Sequence, residues 1–394
     1  MNRVATQGIA RVSTIFRGFI LGRVMLATMF SLIVLAANVG FTQRLACRAD
    51  RLTKNPVITP QLFVAAGVPA DGHNINGPSL IRVPDWVSQS KRPDPSAQYY
   101  LYFAHHGGRY IRMAWAAKVE GPYQLYEPGT GVLTLQQPRA IHPSPDRWAV
   151  PLADDLAVEG HIASPDVIVD DANRRFIMFY HGFEARPSNG GGASSRFTGP
   201  DGKVWQRKKQ RAFVSLSDDG LDFNGNTLPR VAGTMYLRTF QVDDAWYSSS
   251  YHVLRRAADP ADPLSGWEEV GKHRSLSRAR HTAVRVGDDG TITVFFSRKG
   301  DSPEHILYAT IRGFAKKRTN RWQVHGPKTV VYPETDWEGG DLPITKSREG
   351  ASHESVRQLQ DPAYFCDKDG SEYLLYAVAG EKGIAIARLT WFEP

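Results

Sequence analysis

The chain has 394 residues, 22% of them charged, with 35 Gly, 25 Pro and two Cys, a composition that excludes both a disulfide scaffold and a charged disordered tail. Its formal charge of +8 is confined to the start: residues 1–54 hold seven Arg, one Lys and one Asp, or +7, leaving +1 for the remainder. The basicity is therefore no sign of a nucleic-acid partner.

Arg3, Arg11, Arg17 and Arg23 precede an apolar run from Val24 to Phe41, broken by Thr28, Ser31, Asn38 and Gly40. Basic residues followed by an apolar stretch make residues 1–50 an export segment, read first as a cleaved signal and alternatively as an uncleaved anchor. The protein is expected to be exported, periplasmic or secreted, with membrane contact only through an uncleaved segment. Leu45-Ala46-Cys47 resembles a lipoprotein cleavage site, although Arg44 stands where an apolar residue is required. Cys47 and Cys366 are expected to pair only if Cys47 stays in the mature chain and lies beside the end of the fold.

Beyond residue 70, short β-branched and aromatic runs alternate with Gly, Asp, Asn and Pro, and helical periodicity is absent, which predicts an all-β fold. A unit of three strands recurs five times. The first unit is Pro78–Val83, Tyr99–Ala104 and Tyr110–Ala116, and the second is Pro165–Asp170, Arg175–Tyr180 and Arg211–Leu216. The third is Met235–Val242, Ala245–Ser249 and Tyr251–Leu254. The fourth is His281–Val286, Thr291–Ser297 and Ile306–Ile311, and the fifth is Ala363–Cys366, Glu372–Val378 and Ile384–Leu389. Five meanders predict a five-bladed β-propeller spanning residues 55–394, with Val57–Val64 closing the ring beside Ile384–Leu389. Arg186–Gln210 and Thr335–Gln360 are expected as long loops, a feature that points to function in a compact domain.

In a blade, the start of the innermost strand and the turn between the second and third strands lie on one face. Strand starts there supply Asn76, His161, Ser164, Asp166, Arg238, Arg280, His281, Arg357 and Asp361. Returning turns add His105, His106, His181, Arg298 and Lys299. One rim of the channel is thus expected to gather histidines, arginines and two aspartates into a single pocket.

Several segments at these positions resemble the five-bladed propeller glycosidases around glycoside hydrolase family forty-three. Ala163-Ser164-Pro165-Asp166-Val167 is similar to that family's second-blade Ala-Pro-Asp segment, and Gln360-Asp361-Pro362-Ala363-Tyr364-Phe365 to its Asp-Pro strands. Ser217-Asp218-Asp219-Gly220 with Phe223, and Glu372–Tyr376, add to a likeness running over residues 75–390. The resemblance implies an enzyme acting on the glycosidic bonds of a polysaccharide or oligosaccharide. It also implies three carboxylates, on the first, third and fourth inner strands, where this chain has Asn76-Gly77-Pro78, Tyr236-Leu237-Arg238 and Arg280-His281-Thr282.

Three chemistries fit these residues. In hydrolysis, Asp166 and Asp361 are the carboxylates, with His281 and His161 moving protons, because cleavage needs one group to protonate the leaving oxygen and another to activate water. In β-elimination from a uronate-containing, possibly sulfated glycan, the histidines supply the base, Tyr110 or Tyr180 the acid, and Arg112, Arg238 and Arg280 the charge that stabilises the carboxylate dianion. In a non-catalytic carbohydrate-binding propeller, the rim only holds sugar, or a structural cation sits in the channel; no metal-ligand spacing and no required cofactor is seen. His105, His106, His181, Arg238 and Arg280 are the expected substrate contacts. Trp205 and Trp337 are expected to stack on sugar rings, while Trp115 and Trp246 pack between blades.

Overall fold

The structure, a computed structural model, describes residues 46–134, 149–188, 196–199, 202–315 and 319–393. Residues 1–45, most of the stretch of residues 1–50 expected to serve export, lie outside them, while Ala46 already begins a strand; among the described residues no helix is long and apolar enough to cross a membrane. Residues 47–390 form one compact unit.

Among the described residues the strands make five antiparallel sheets. Blade 1 runs outward through Asn76–Arg82, Tyr99–Ala104, Tyr110–Ala116 and Gln124–Tyr126. Blade 2 is built on Leu156–Asp170, Arg175–Pro187 and Val204–Ser217, and blade 3 on Arg238–Val242, Ala245–Ser250, Val253–Ala257 and Trp267–Lys272. Blade 4 is Ala279–Val286, Ile292–Arg298, Ile306–Arg312 and Gln323–Val331. Blade 5 is Gln360–Cys366, Glu372–Val378, Gly383–Phe392 and, from the other end of the chain, Ala46–Arg51. Each inner strand packs on the next, blade 1 against blades 2 and 5, blade 3 against 2 and 4, and blade 4 against 5. The ring is closed, and the five-bladed propeller expected from the repeats is the fold.

The alternation of side chains along a strand explains why the middle strands read as unbroken apolar runs. In blade 1, Tyr100 and Tyr102 enter one core with Met178 and Phe213 of blade 2. Their neighbours Leu101 and Phe103 enter another with Leu375 and Ile386 of blade 5. A third core joins blades 3 and 4 through Phe240, Tyr247, Phe296 and Phe314. Outer strands have only one neighbour to face, so in Gln323–Val331 only Val331 is buried.

The structure corrects several expectations. Ring closure is made by Ala46–Arg51 rather than Val57–Val64. In the latter stretch Ile58 makes a single bridge to Ile384, and Pro60–Ala65 turns into a short helix with proline at its start, where the missing N–H costs nothing. The expected loop from Arg186 to Gln210 is largely a continuation of the blade 2 hairpin, with Trp205 paired opposite Pro187 and Gln206 opposite Arg186. Cys47 and Cys366 are free thiols, one buried and one exposed. They sit on the outermost and innermost strands of blade 5, so ring closure brings them to one blade without pairing them.

Candidate functional site

Four of the five inner strands carry the same irregularity. Asn76 pairs with Ala104 and Ser79 with Tyr102, so the two residues between them on the inner strand stand against one, Phe103, on its partner. Ala163 to Asp166, Ala279 to Thr282 and Gln360 to Ala363 repeat it. Each is a β-bulge, which re-aims the side chains inside it. The residues so released are Gly77-Pro78, Ser164-Pro165, Arg280-His281 and Asp361-Pro362. Gly77, Ser164 and Asp361 have φ of +59°, +48° and +51°, and the Gly77 backbone comes so near the Ser164 Cα that an added Cβ would stand 3.0 Å from it.

Around these bulges lies a small crevice lined by Asn76, His106, His161, Ala163, Ser164, His181, Tyr236, His281, Asp361 and Glu381. His281 Nδ1 contacts Asp361 Oδ1, and the other Asp361 oxygen accepts from the Gly77 N–H at 3.2 Å. With Nδ1 on a carboxylate, the lone pair of the imidazole is left on Nε2, an atom that is buried and has no hydrogen-bond partner among the described residues. Burial works against the Asp361 charge, but His281, then Arg280 and Arg238, hold its carboxyl below the usual range. The Tyr236 ring meets His281 edge-on at 4.0 Å and His181 at 4.6 Å. Burial pushes the Tyr236 phenol up, so it keeps its proton.

The other histidines are shifted in opposite directions. His106 Nδ1 lies 3.6 Å from Glu381 Oε1, and that carboxylate raises the His106 pKa against the opposing effect of burial. Glu381 is in turn fixed by Asn74 Nδ2 at 2.5 Å and the Ser352 N–H at 3.3 Å. His161 and His181 approach Nε2 to Nε2 at 3.2 Å. Burial lowers His161 to about 4 and takes His181 well below the ordinary value. Both are neutral at pH 7, one ring donating to the other.

Not every expected residue joins them. The Arg238 guanidinium reaches Asp166 Oδ1 at 3.4 Å, Pro78 O at 3.1 Å and Pro165 O. Asp166 Oδ2 accepts from Thr239 N at 2.8 Å and Thr239 Oγ1 at 2.7 Å. This pair ties blades 1, 2 and 3 together and does not line the crevice, so Asp166 is a structural carboxylate and Arg238 its counterion. Burial, only partly offset by Arg238 and Thr239, raises the Asp166 pKa. Arg280 is turned to Glu304 at 3.2 Å and to the carbonyls of Gly350, at 3.1 Å, and Arg348.

His105 faces the far side of its turn, into a separate pocket with Asp71, Tyr110 and Arg112. Arg112 there donates to the carbonyls of Asp71, Asn74 and Ala104. Adjacent residues at a strand end face opposite ways, so His105 and His106 cannot share a site. Trp205 is buried, at 2% exposure, with Ala149, Ala157, Ala185 and Phe197, so its ring cannot stack on a ligand. Trp337 is half-buried on a turn whose next residue, Glu338, holds Arg51 and Tyr376, and it does not line the crevice. Among the described residues no group of three or more His, Cys, Asp and Glu has the arrangement to hold a metal ion.

Tyr236 and Glu381 are site residues that reading the sequence missed. Glu381 sits in the turn between the second and third strands of blade 5, so the rule that found His106 and His181 finds it too when applied to that blade. Tyr236 precedes its strand in a left-handed conformation with φ of +58°, for which the sequence carries no signal.

No family model matches the chain. The uncharacterized protein R118 of Acanthamoeba polyphaga mimivirus is 31% identical to it over 335 residues, covering 80% of this chain and 83% of the viral one. Among solved structures, an alpha-L-arabinofuranosidase from Lactobacillus brevis superposes with a TM-score of 0.46 at 10% identity, covering 82% of this chain and 92% of that one. A thermostable family-43 glycoside hydrolase gives 0.44 at 12%, covering 81% and 89%. A xylan beta-1,4-xylosidase from Bacillus halodurans gives 0.45 at 10%, covering 81% and 53%.

Proposed function

This chain belongs to the same family as the mimivirus protein R118, and from the site it carries we propose that it is an enzyme that cleaves glycosidic bonds by acid–base catalysis. The observation that carries the reading is the His281–Asp361 pair, with its buried, unpartnered Nε2 at the mouth of the channel. Asp361 fixes the ring's tautomer and stabilises the imidazolium that forms when Nε2 takes a proton, the role a buried aspartate plays beside a catalytic histidine. His106, whose pKa Glu381 raises, is the matching acid for the leaving oxygen.

Every carboxylate at the rim is already committed: Asp361 to His281 and the Gly77 N–H, Glu381 to Asn74, Ser352 and His106, Asp166 to Arg238 and Thr239. Among the described residues no rim carboxylate is free for a direct attack on the anomeric carbon, so the favoured hydrolysis uses water, activated by His281 and delivered opposite the leaving group. The protonated Tyr236 phenol against His281 favours a second reading, β-elimination, with His281 as base and Tyr236 as acid. The Arg-rich start and the apolar run Val24 to Phe41 support export to where extracellular polysaccharide is found.

The test is incubation with neutral and uronate polysaccharides, following reducing ends together with the ultraviolet absorbance of an unsaturated uronate. Reducing ends alone support hydrolysis; both signals together support elimination. His281→Ala should lower turnover by at least ~100-fold, the lower scale for losing a positioned acid or base. Full activity in that variant refutes the site.

A further inference from the structure

The loop between blades 4 and 5 encloses a pocket of about 740 Å³, lined by Thr345 to Arg348, Gly350 to Glu354, Val356 and Gln358. Its volume is in the range of small-molecule sites. It is tied to the residues that border the crevice. Arg280 holds the Gly350 and Arg348 carbonyls from the blade 4 bulge. The Ser352 N–H binds Glu381, and Lys382 Nζ holds the carbonyls of Ser352 at 3.4 Å and His353 at 2.8 Å. At the other end, Ser347 N donates to Asp301 O at 2.9 Å, and its hydroxyl accepts from Gly300 N at 2.8 Å. The loop is thus anchored on Arg280, the neighbour of His281, and on Glu381, the partner of His106, which sets the pocket beside the crevice.

The lining says what kind of glycan. No residue in it is Trp, Tyr or Phe, so the aromatic stacking that holds neutral sugars has no platform there. Thr345, Ser347, Ser352 and Gln358 offer hydrogen bonds to hydroxyl groups. Lys346 and Arg348 supply charge, and neither side chain has an acidic partner among the described residues. Nearby carboxylates are already engaged, Glu349 by Lys299 at 2.9 Å, Asp301 by Arg298 at 3.0 Å and Glu304 by Arg280 at 3.2 Å. Glu354 is the one acidic residue in the lining. Behind the wall, Lys382 adds a cation bound only to backbone carbonyls.

We propose that this pocket is the subsite for an anionic sugar of the substrate, its carboxylate or sulfate group held by Lys346 and Arg348. The inference rests on cleavage taking place in the adjoining crevice, and it narrows the substrate to an acidic glycan.

Binding to full-length His281→Ala protein, which leaves the ligand intact, tests it by isothermal titration. The probes are a tetragalacturonate, a sulfated galactan tetrasaccharide and a neutral xylotetraose. One anionic probe should bind at least roughly tenfold more tightly than xylotetraose, and added salt should weaken it. Which of the two binds tells carboxylate from sulfate. Lys346→Gln with Arg348→Gln should abolish the preference while leaving the melting temperature unchanged, since both side chains are exposed. Equal binding of xylotetraose, binding of no anionic probe, or an unaltered preference in the double variant overturns the proposal. Cleavage of a neutral glycan that needs His281 overturns the subsite and leaves the acid–base reading standing. An anionic preference lost in the double variant, with cleavage independent of His281, upholds the subsite and overturns the other.

Discussion

Lowering the pH from 7 to 4 should weaken the fold through His161, and His161→Gln should remove most of that loss. The ring is 8% exposed, lies edge-on to Phe183 at 5.3 Å and has the neutral His181 at 3.2 Å. Burial places its pKa at about 4 against an ordinary 6.5. As the pH falls below 6.5 the unfolded chain binds a proton that the native state refuses until about pH 4. In that window the unfolded state holds more protons, so stability falls with pH. The gap of about 2.5 units amounts to about 3 kcal/mol by pH 4. His181 adds a loss of the same sign.

Groups whose pKa the fold raises, Asp166, His106 and Glu304, act in the opposite direction. Glu304 is pushed up to about 7, chiefly by burial, so between pH 7 and its ordinary 4.5 the native state keeps a proton that the unfolded chain has lost. Its contribution is therefore gained as the pH falls through that range. Because the two effects overlap, the single variant is the decisive comparison. Urea unfolding of wild-type and His161→Gln protein should show the variant better by a margin that grows from pH 6.5 to pH 4. Parallel losses in the two proteins would refute the placement of a neutral His161 in the core of the rim.

Arg238→Ala should cost roughly 3–5 kcal/mol in chemical denaturation, because it leaves the Asp166 carboxylate buried without its cation; a change within the error of the measurement would show that the pair does not tie the blades. Gly77→Ala should cost about 1–3 kcal/mol, since it forces a Cβ to 3.0 Å from the Ser164 backbone at a φ of +59°, and an unchanged melting curve would show that the ring axis is looser than described.

The inner three strands of each blade were legible because their residues face apolar neighbours on both sides. The runs Tyr99–Ala104 and Ile292–Arg298 are buried almost throughout, and such runs announce themselves in any sequence. Outer strands such as Trp267–Lys272 and Gln323–Val331 are wet on one face and broken by register shifts, so their pattern fades. The closing strand Ala46–Arg51 was hidden for a related reason: it holds two Arg and an Asp in six residues and overlaps the stretch expected as an export segment. Its pairing is fixed by the ring, not by its own propensity.

For the site, topology placed His106, His161, His181, His281 and Asp361 at one mouth, and the structure gathers these five. It fails where a bulge intervenes. Counting from a regular strand start treats Ser164 and Asp166 alike. The extra residue instead leaves Ser164 lining the crevice and Asp166 accepting from Thr239 of blade 3. A one-residue change of register exchanges the faces of a strand, and nothing in Ala163-Ser164-Pro165-Asp166 states that one has occurred.

The repeated bulge also bears on what the rim is for. Proline lacks the N–H that an interrupted ladder would leave unpaired, and it follows the left-handed residue in Gly77-Pro78, Ser164-Pro165 and Asp361-Pro362. Glycine takes that conformation freely, whereas a residue with a side chain pays roughly 1–3 kcal/mol for it. Ser164 and Asp361 keep their side chains despite the strain, and both line the crevice. At Asp361 the strained backbone aims the carboxylate at His281, which a bulge on the next blade presents. A ring needing only closure would be better served by glycine or a regular strand at residue 361. Backbone strain held at the one residue that orients a buried histidine is the arrangement expected where the orientation itself is used, and it supports His281 and Asp361 as the working centre of the channel mouth.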